Sequence, residues 1–153
     1  MRRITTRRGK WAPAVMLVGL AFSACGGPDR TVAGRLPPGW RLIQKREYQA
    51  LYGPDGRLQR LLHDQDGDSR ADAIVFYGRS GRPERGEIDT DRDGLVDRWE
   101  ELRPNGAVSL VAISRRRTGR PDLWERADPD GRVVLREADD DGDGRPDRPA
   151  PAP

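Results

Sequence analysis

The chain repeats itself every 25 residues, and that period constrains the fold more than any other feature of the sequence. Blocks beginning at Tyr52, Tyr77, Leu102 and Ala127 bring Gly56, Gly81, Gly106 and Gly131 into register. Asp55, Ser80, Asn105 and Asp130 stand just before these glycines, and Asp72, Asp97, Asp122 and Asp147 also coincide. A fixed period with matching turn residues and matching acids marks a repeat architecture, in which each unit buries its apolar surface against its neighbours.

Each repeat carries two turn signals. The first is Pro-Asp-Gly or a relative, as in Pro54-Asp55-Gly56, Pro104-Asn105-Gly106 and Pro129-Asp130-Gly131. Proline presets φ for the first central position of a type I turn, Asp or Asn suits the second, and glycine takes the left-handed position after them. That order suits a β-hairpin closed by a type I turn and a glycine bulge. Its flanks read as strands, such as "AIVFY" before one turn and "AVSLVAIS" after another. One flank, "RPERGEI" at 82–88, carries a proline and a glycine and is expected to be an irregular or edge strand. The fold class is therefore all-β: tandem 25-residue β-hairpin repeats, as an antiparallel meander or elongated sheet.

The second turn signal is acidic. Residues 89–100, "DTDRDGLVDRWE", meet every position of a D-x-[DN]-x-[DN]-G-x5-E calcium loop. Calcium takes six to eight oxygens, and alternate residues of a tightly wound loop aim their carboxylates at one centre. Asp89, Asp91 and Asp93 would supply side-chain oxygens, Gly94 the sharp turn and Leu95 its backbone carbonyl. Asp97 would act directly or through water, and Glu100 would close the shell. An EF-hand needs a helix on each side of such a loop. "GRPERGEI" before Asp89 cannot supply one, and on the other side "DRWEEL" is cut short by Pro104. The loop is expected to join two strands.

The loop at 64–75 keeps Asp64, Asp66, Asp68 and Asp72, with Ser69 in place of the glycine and Val75 in place of the closing carboxylate. The loop at 139–150 keeps Asp139, Asp141, Asp143, Gly144 and Asp147 but ends in Ala150. Both are expected to bind more weakly than 89–100. In the register position 114–125, Ser114, Arg116 and Thr118 replace the three leading aspartates while Asp122, Trp124 and Glu125 stay. No metal is expected there. Instead Arg116 or a neighbouring arginine is expected to lay its guanidinium against Asp122 and Glu125, a covalent cation in place of the ion.

The three intact loops hold 14 of the 25 acidic residues. Like charges this crowded repel, and a bound cation relieves the repulsion most simply. Calcium is favoured over magnesium because the ligands are all protein oxygens and numerous, with affinity expected at about 10⁻⁴ to 10⁻³ M, the range of extracellular modules. On these D-x-D-x-D-G runs the loops resemble those of thrombospondin type 3 repeats and dockerins. The chain is also similar, over about residues 47–147, to tandem-repeat lipoproteins of environmental bacteria, in which such a loop alternates with a strand-turn-strand unit. It departs from thrombospondin repeats in lacking cysteines there, and from dockerins in lacking helices and in its longer period.

The N-terminus points the same way. "MRRITTRRGK" is basic, and "WAPAVMLVGLAFSA" has the length of a signal-peptide apolar region, too short to span a bilayer. It ends in Phe22-Ser23-Ala24-Cys25, which resembles the lipobox of bacterial lipoproteins. The resemblance implies lipidation of Cys25, the sole cysteine, and Gly26 after it implies the outer membrane. The expected organisation is a signal peptide at 1–24, a flexible Gly/Pro-rich tether at 25–39, a repeat domain at 40–147 and a disordered tail at 148–153. Five of the 28 basic residues fall in the signal while all 25 acids come after it, so the mature chain carries 23 bases against 25 acids. A nucleic-acid partner thereby loses its main support.

Trp99 and Trp124 occupy one repeat position with Ile74, the pattern of a stacked core. His63 is the only histidine and reads as a surface residue; no Ser/His or Cys/His set is present, and no catalysis is expected. The sequence thus points to a lipid-anchored, calcium-binding repeat protein of the bacterial envelope, with a structural or adhesion and docking role toward a protein or polysaccharide. A partner-recruiting sheet face with incidental calcium, or a small hydrolase, stand as alternatives.

Overall fold

The computed structural model describes residues 36–151. The signal peptide, Cys25 and most of the tether lie outside the described residues. Ten strands form one open antiparallel sheet, in chain order from edge to edge. They are β1 (Arg41–Lys45), β2 (Tyr48–Tyr52), β3 (Leu58–His63), β4 (Ala73–Tyr77), β5 (Pro83–Ile88), β6 (Arg98–Leu102), β7 (Val108–Ile113), β8 (Leu123–Ala127), β9 (Val133–Ala138) and β10 (Arg148–Pro149). The all-β hairpin meander expected from the repeat is the fold.

The two turn signals alternate along the meander. The Pro-Asp-Gly turns join β2 to β3, β4 to β5, β6 to β7 and β8 to β9. In the first, the Gly56 amide donates to the Gly53 carbonyl at 2.9 Å and Gly56 takes φ +76°. The pairing register slips by one residue beside each turn, at Tyr52, Tyr77, Leu102 and Ala127. This is the type I turn with glycine bulge that the sequence pattern demands. The acidic loops make the other connections, so all four lie at one end of the sheet. β1 and β2 are joined there by Arg46 and Glu47 alone, with Arg46 at φ 53°.

Two expectations are corrected. "RPERGEI" is irregular as expected, its register slipping by one residue between Arg85 and Pro83, but it is not an edge: it is an interior strand, β5, hydrogen-bonded to β4 and β6. Pro83 opens the strand at the bulge, where its missing N–H breaks no ladder, and Gly86 is buried beside Val75 and Glu100. The tail expected from residue 148 begins with a short strand: Arg148 and Pro149 pair with Ala138 and Glu137 of β9. Both edges resist further pairing, β1 through Arg41 and Lys45 and β10 through its length and its proline.

Among the described residues no second layer packs on the sheet, so its core needs another cover. Period-2 alternation sets Leu62, Ile74, Glu87, Trp99, Ala112 and Trp124 in one cross-strand row near the loop end. All six are buried. The eighth residue of the first three loops is buried or half-buried over this row. Ala71 packs with Leu62 and Ile74, Val96 packs against Trp99, Leu110, Ala112 and Trp124, and Pro121 is buried too. Pro146, in the last loop, stays exposed. Farther along the same face the Arg85 and Arg60 guanidinium groups lie 4.1 and 5.2 Å from the Phe76 ring centroid, and Arg85 pairs with Glu87 at 3.0 Å. Trp99 and Trp124 are thus core, as their spacing suggests, and His63 stacks on Tyr48 with ring centroids 4.4 Å apart.

Trp124→Ala is expected to cost about 3–5 kcal/mol of unfolding free energy, the range for a truncated core aromatic. Ile43→Ala, at a residue 52% exposed, is expected to shift it by no more than about 0.5 kcal/mol. Urea unfolding of the two variants would measure this.

Candidate metal centre

The loops run over 64–72, 89–97, 114–122 and 139–147, and all four share one hydrogen-bond frame. The ninth residue accepts the amide of the second: Gln65 to Asp72 at 2.5 Å, Thr90 to Asp97 at 3.0 Å, Arg115 to Asp122 at 2.7 Å and Asp140 to Asp147 at 2.7 Å. The first carboxylate accepts the amide of the sixth: Ser69 to Asp64 at 3.1 Å, Gly94 to Asp89 at 2.9 Å and Gly144 to Asp139 at 2.8 Å. In the third loop the buried Ser114 hydroxyl takes over the first position, accepting the Thr118 amide at 3.1 Å. These bonds close each loop into a tight coil.

That coil requires left-handed backbone at its fourth and sixth residues. The fourth are Gly67, Arg92, Arg117 and Gly142, with φ from 53° to 85°. The sixth are Ser69, Gly94, Gly119 and Gly144, with φ from 71° to 91°. Gly94 also lies against the preceding loop, since a Cβ there would meet Arg70 Nη1 at 2.7 Å. Sequence reading saw the demand at the sixth position and missed it at the fourth. The signal was Gly67 and Gly142, each inside an Asp-Gly-Asp run.

The frame gathers three carboxylates per acidic loop. Asp64, Asp66 and Asp72 form one group, Asp89, Asp91 and Asp97 a second, and Asp139, Asp141 and Asp147 a third, each with ligand oxygens within 4.8 Å of one another. Asp68, Asp93 and Asp143 lie outside these groups. Each accepts the amide two residues on, from Arg70, Leu95 and Arg145, and so shapes the loop as an Asx turn. Glu100, expected to close the shell, stands on β6 and is held by Arg98 Nε at 2.7 Å, outside the group. Leu95 leans on Gly119 of the next loop.

Charge decides what these groups can do. Two unit charges 4 Å apart repel by about 1 kcal/mol in water and about 4 kcal/mol at an effective dielectric of 20. Three carboxylates per loop multiply that cost, and a divalent cation reverses its sign. Each group offers three oxygen donors of the kind a hard cation takes. At Asp139 burial pushes the carboxyl up. The amides of Gly142 and Gly144 and the Arg116 charge outweigh burial, so the group stays ionised below the ordinary aspartate value of 3.8.

The third loop carries its own cations. Arg115 Nε and Arg116 Nε lie 3.4 and 3.6 Å from Asp122 Oδ2, and Asp122 is buried. The guanidinium expected over Asp122 is there, supplied by two arginines. Glu125, expected to share it, instead pairs with Arg136 at 2.8 Å. The same loop reaches both ways along the row: Arg117 Nε is 3.2 Å from Asp91, and Arg116 Nη2 donates to the Asp139 and Asp140 carbonyls at 3.1 and 3.2 Å. The loops are also chained by backbone, since Asp89 donates to Asp72 O at 2.7 Å, Ser114 to Asp97 O at 2.8 Å and Asp139 to Asp122 O at 3.1 Å.

No family model matches the chain, and no curated protein matches it. Among solved structures it is similar to TarM of S. aureus in complex with Fondaparinux, alpha-GlcNAc-glycerol and UDP, at TM-score 0.53 and 11% identity. A second TarM structure gives TM-score 0.53 and 12% identity. In both, the match covers 66% of this chain and 20% of that chain. At this identity the likeness is one of fold: a run of antiparallel strands within a chain several times longer.

Replacing Arg115 and Arg116 together by alanine leaves Asp122 buried without a cation, which costs about 3–5 kcal/mol when a buried pair loses one partner and less at these half-exposed arginines. The loss is expected in calcium and in chelator alike, read as a lowered melting temperature in both. A melting temperature unchanged from wild type would mean that the arginines do not replace an ion.

Proposed function

We propose that this chain is a calcium-stabilised β-repeat module, anchored by a lipid on Cys25 to the bacterial cell envelope, with a structural or docking role. The observation that carries the reading is the gathering of three carboxylates within 4.8 Å in each of three loops, in register along one end of the sheet. The loops that would hold the ions also roof the core through Ala71 and Val96, so ion binding and burial stabilise the same segments. The carboxylates are engaged in loop geometry, which favours a non-catalytic role. The lipid anchor rests on the lipobox resemblance at Phe22-Ser23-Ala24-Cys25 and the outer-membrane address on Gly26.

Calcium at about 10 to 100 times its dissociation constant stabilises a folded site by about 1.4–2.7 kcal/mol. The melting temperature of the mature chain is therefore expected to rise with millimolar calcium and fall with chelator. Asp89→Asn with Asp91→Asn is expected to reduce the rise; an identical melting curve with and without calcium rejects the reading.

The anchor makes a separate claim. In a bacterial host the full chain is expected to incorporate labelled palmitate and partition with membranes, and Cys25→Ala to abolish both. Label retained in Cys25→Ala, or none in wild type, rejects the lipid anchor.

A further inference from the structure

Strands β1 to β4 contain no acidic residue, in a chain whose mature form has more acids than bases. Their register fixes which side chains share the face opposite the row from Leu62 to Trp124. β1 sets Arg41, Ile43 and Lys45 on that face, paired with Tyr52, Ala50 and Tyr48 of β2. β3 and β4 continue it with Leu61 and Val75. Ile43 and Tyr48 are 52% and 42% exposed, and Arg41 and Lys45 are exposed as well. Neither cation enters an ion pair among the described residues; the Arg41 guanidinium lies 5.7 Å from the Tyr52 ring centroid. Farther along, the same face is charge-balanced, with Arg98 held to Glu100 at 2.7 Å and Arg136 to Glu125 at 2.8 Å.

An exposed aliphatic side chain between two unpaired cations, with tyrosines beside them, has the chemistry of a surface that rests on a bilayer. Lys and Arg meet anionic headgroups, tyrosine rings sit at headgroup level and the aliphatic group reaches the acyl boundary. Acids border this face at the loop end, at Glu47 and in the loop from Asp64, so contact falls on the sheet face and not on the loops. The place in the chain agrees. Cys25 stands 16 positions before Arg41, at most about 55 Å of extended chain. A lipid there would hold β1 within reach of the membrane, where a weak patch acts at a high effective concentration of lipid.

We infer that this face of β1 and β2 docks on an anionic phospholipid bilayer, with Arg41 and Lys45 against the headgroup phosphates and Ile43 seated between them. The inference deepens the reading of a lipid-anchored envelope module, and its test omits the lipid so that the two can fail separately. The unlipidated mature chain is titrated in 0.1 M salt with phosphatidylcholine bicelles, with and without one-third phosphatidylglycerol. A trace of lipid carrying gadolinium on its headgroup reports contact as broadened amide signals. Broadening is expected at Arg41–Lys45 and Tyr48–Tyr52, only with phosphatidylglycerol, and is expected to fade as salt rises. Each cation near an anionic surface is worth about fivefold in partition. Arg41→Glu with Lys45→Glu is therefore expected to weaken binding at least about twentyfold. Arg79→Glu with Arg132→Glu, the same change of charge at two exposed hairpin turns, is expected to leave it within about threefold. Ile43→Thr, which keeps the β-branch and loses the aliphatic end, is expected to weaken it severalfold.

Unchanged binding by the Arg41→Glu, Lys45→Glu variant, or broadening centred on other strands, overturns the inference. Binding that persists without phosphatidylglycerol overturns it too. The same amide shifts produced by polyphosphate alone would mean a general polyanion contact, and by raised protein concentration alone a second copy on that face; either result rejects the bilayer. No binding, alongside palmitate incorporation at Cys25, removes the docking and leaves the anchor standing. Docking without palmitate incorporation supports the inference and removes the anchor.

Discussion

The structure depends on how a sheet one layer thick acquires an inside. Strands alone cannot shield the row from Leu62 to Trp124, because no second sheet or helix packs on it among the described residues. The cover comes from the connections. Each acidic loop is coiled by amide bonds to its first and ninth side chains, and the coil sets the eighth residue down on the row. The polar and apolar parts of the loop are one device: the aspartates fix the path, and the path delivers Ala71, Val96 or Pro121 to the core. Hydrophobic burial here is conditional on a hydrogen-bonded turn, the reverse of the usual order in which packing positions the loops.

The same device explains why one loop can lose its acids without losing its shape. Ser114 keeps the first-position acceptor, Asp122 keeps the ninth, Gly119 keeps the left-handed sixth residue and Pro121 keeps the roof. Removing the leading aspartates removes the repulsion that an ion would relieve, and Arg115 and Arg116 answer the one buried carboxylate left. Charge balance and chain geometry are separable in this repeat. The geometry belongs to positions one, six, eight and nine, and the electrostatics can be met by a metal or by guanidinium groups.

Much of this was legible in the sequence. The 25-residue register gave the strand order, because hairpin connections at every turn leave only a meander, and glycines at 56, 81, 106 and 131 gave the turn type. The carboxylate groups were legible in part: the first, third and ninth positions converge, while the fifth, at Asp68, Asp93 and Asp143, bends back onto its own backbone. The twelfth could not be judged from a helix-flanked pattern, because a strand after the loop sets Glu100 beside Arg98 instead of with the three carboxylates. "RPERGEI" misled because proline and glycine were weighed as strand breakers without the bulge that admits the one and the close neighbours that favour the other. The roofing position was invisible, since Ala71, Val96 and Pro121 share no chemistry beyond lacking charge.

The backbone bonds that chain the loops have a direction. In every case the first residue of a loop donates its amide to the ninth carbonyl of the loop before it, as Asp89 does to Asp72 and Asp139 to Asp122. The series starts at Glu47, whose carbonyl takes the Asp64 amide even though the connection there is only Arg46 and Glu47. The array is therefore built like a row of overlapping tiles, each resting its leading edge on the one laid earlier. Each interior loop thus holds one backbone bond to the loop before it and one to the loop after it, so a local loss of order at one loop takes a bond from both neighbours.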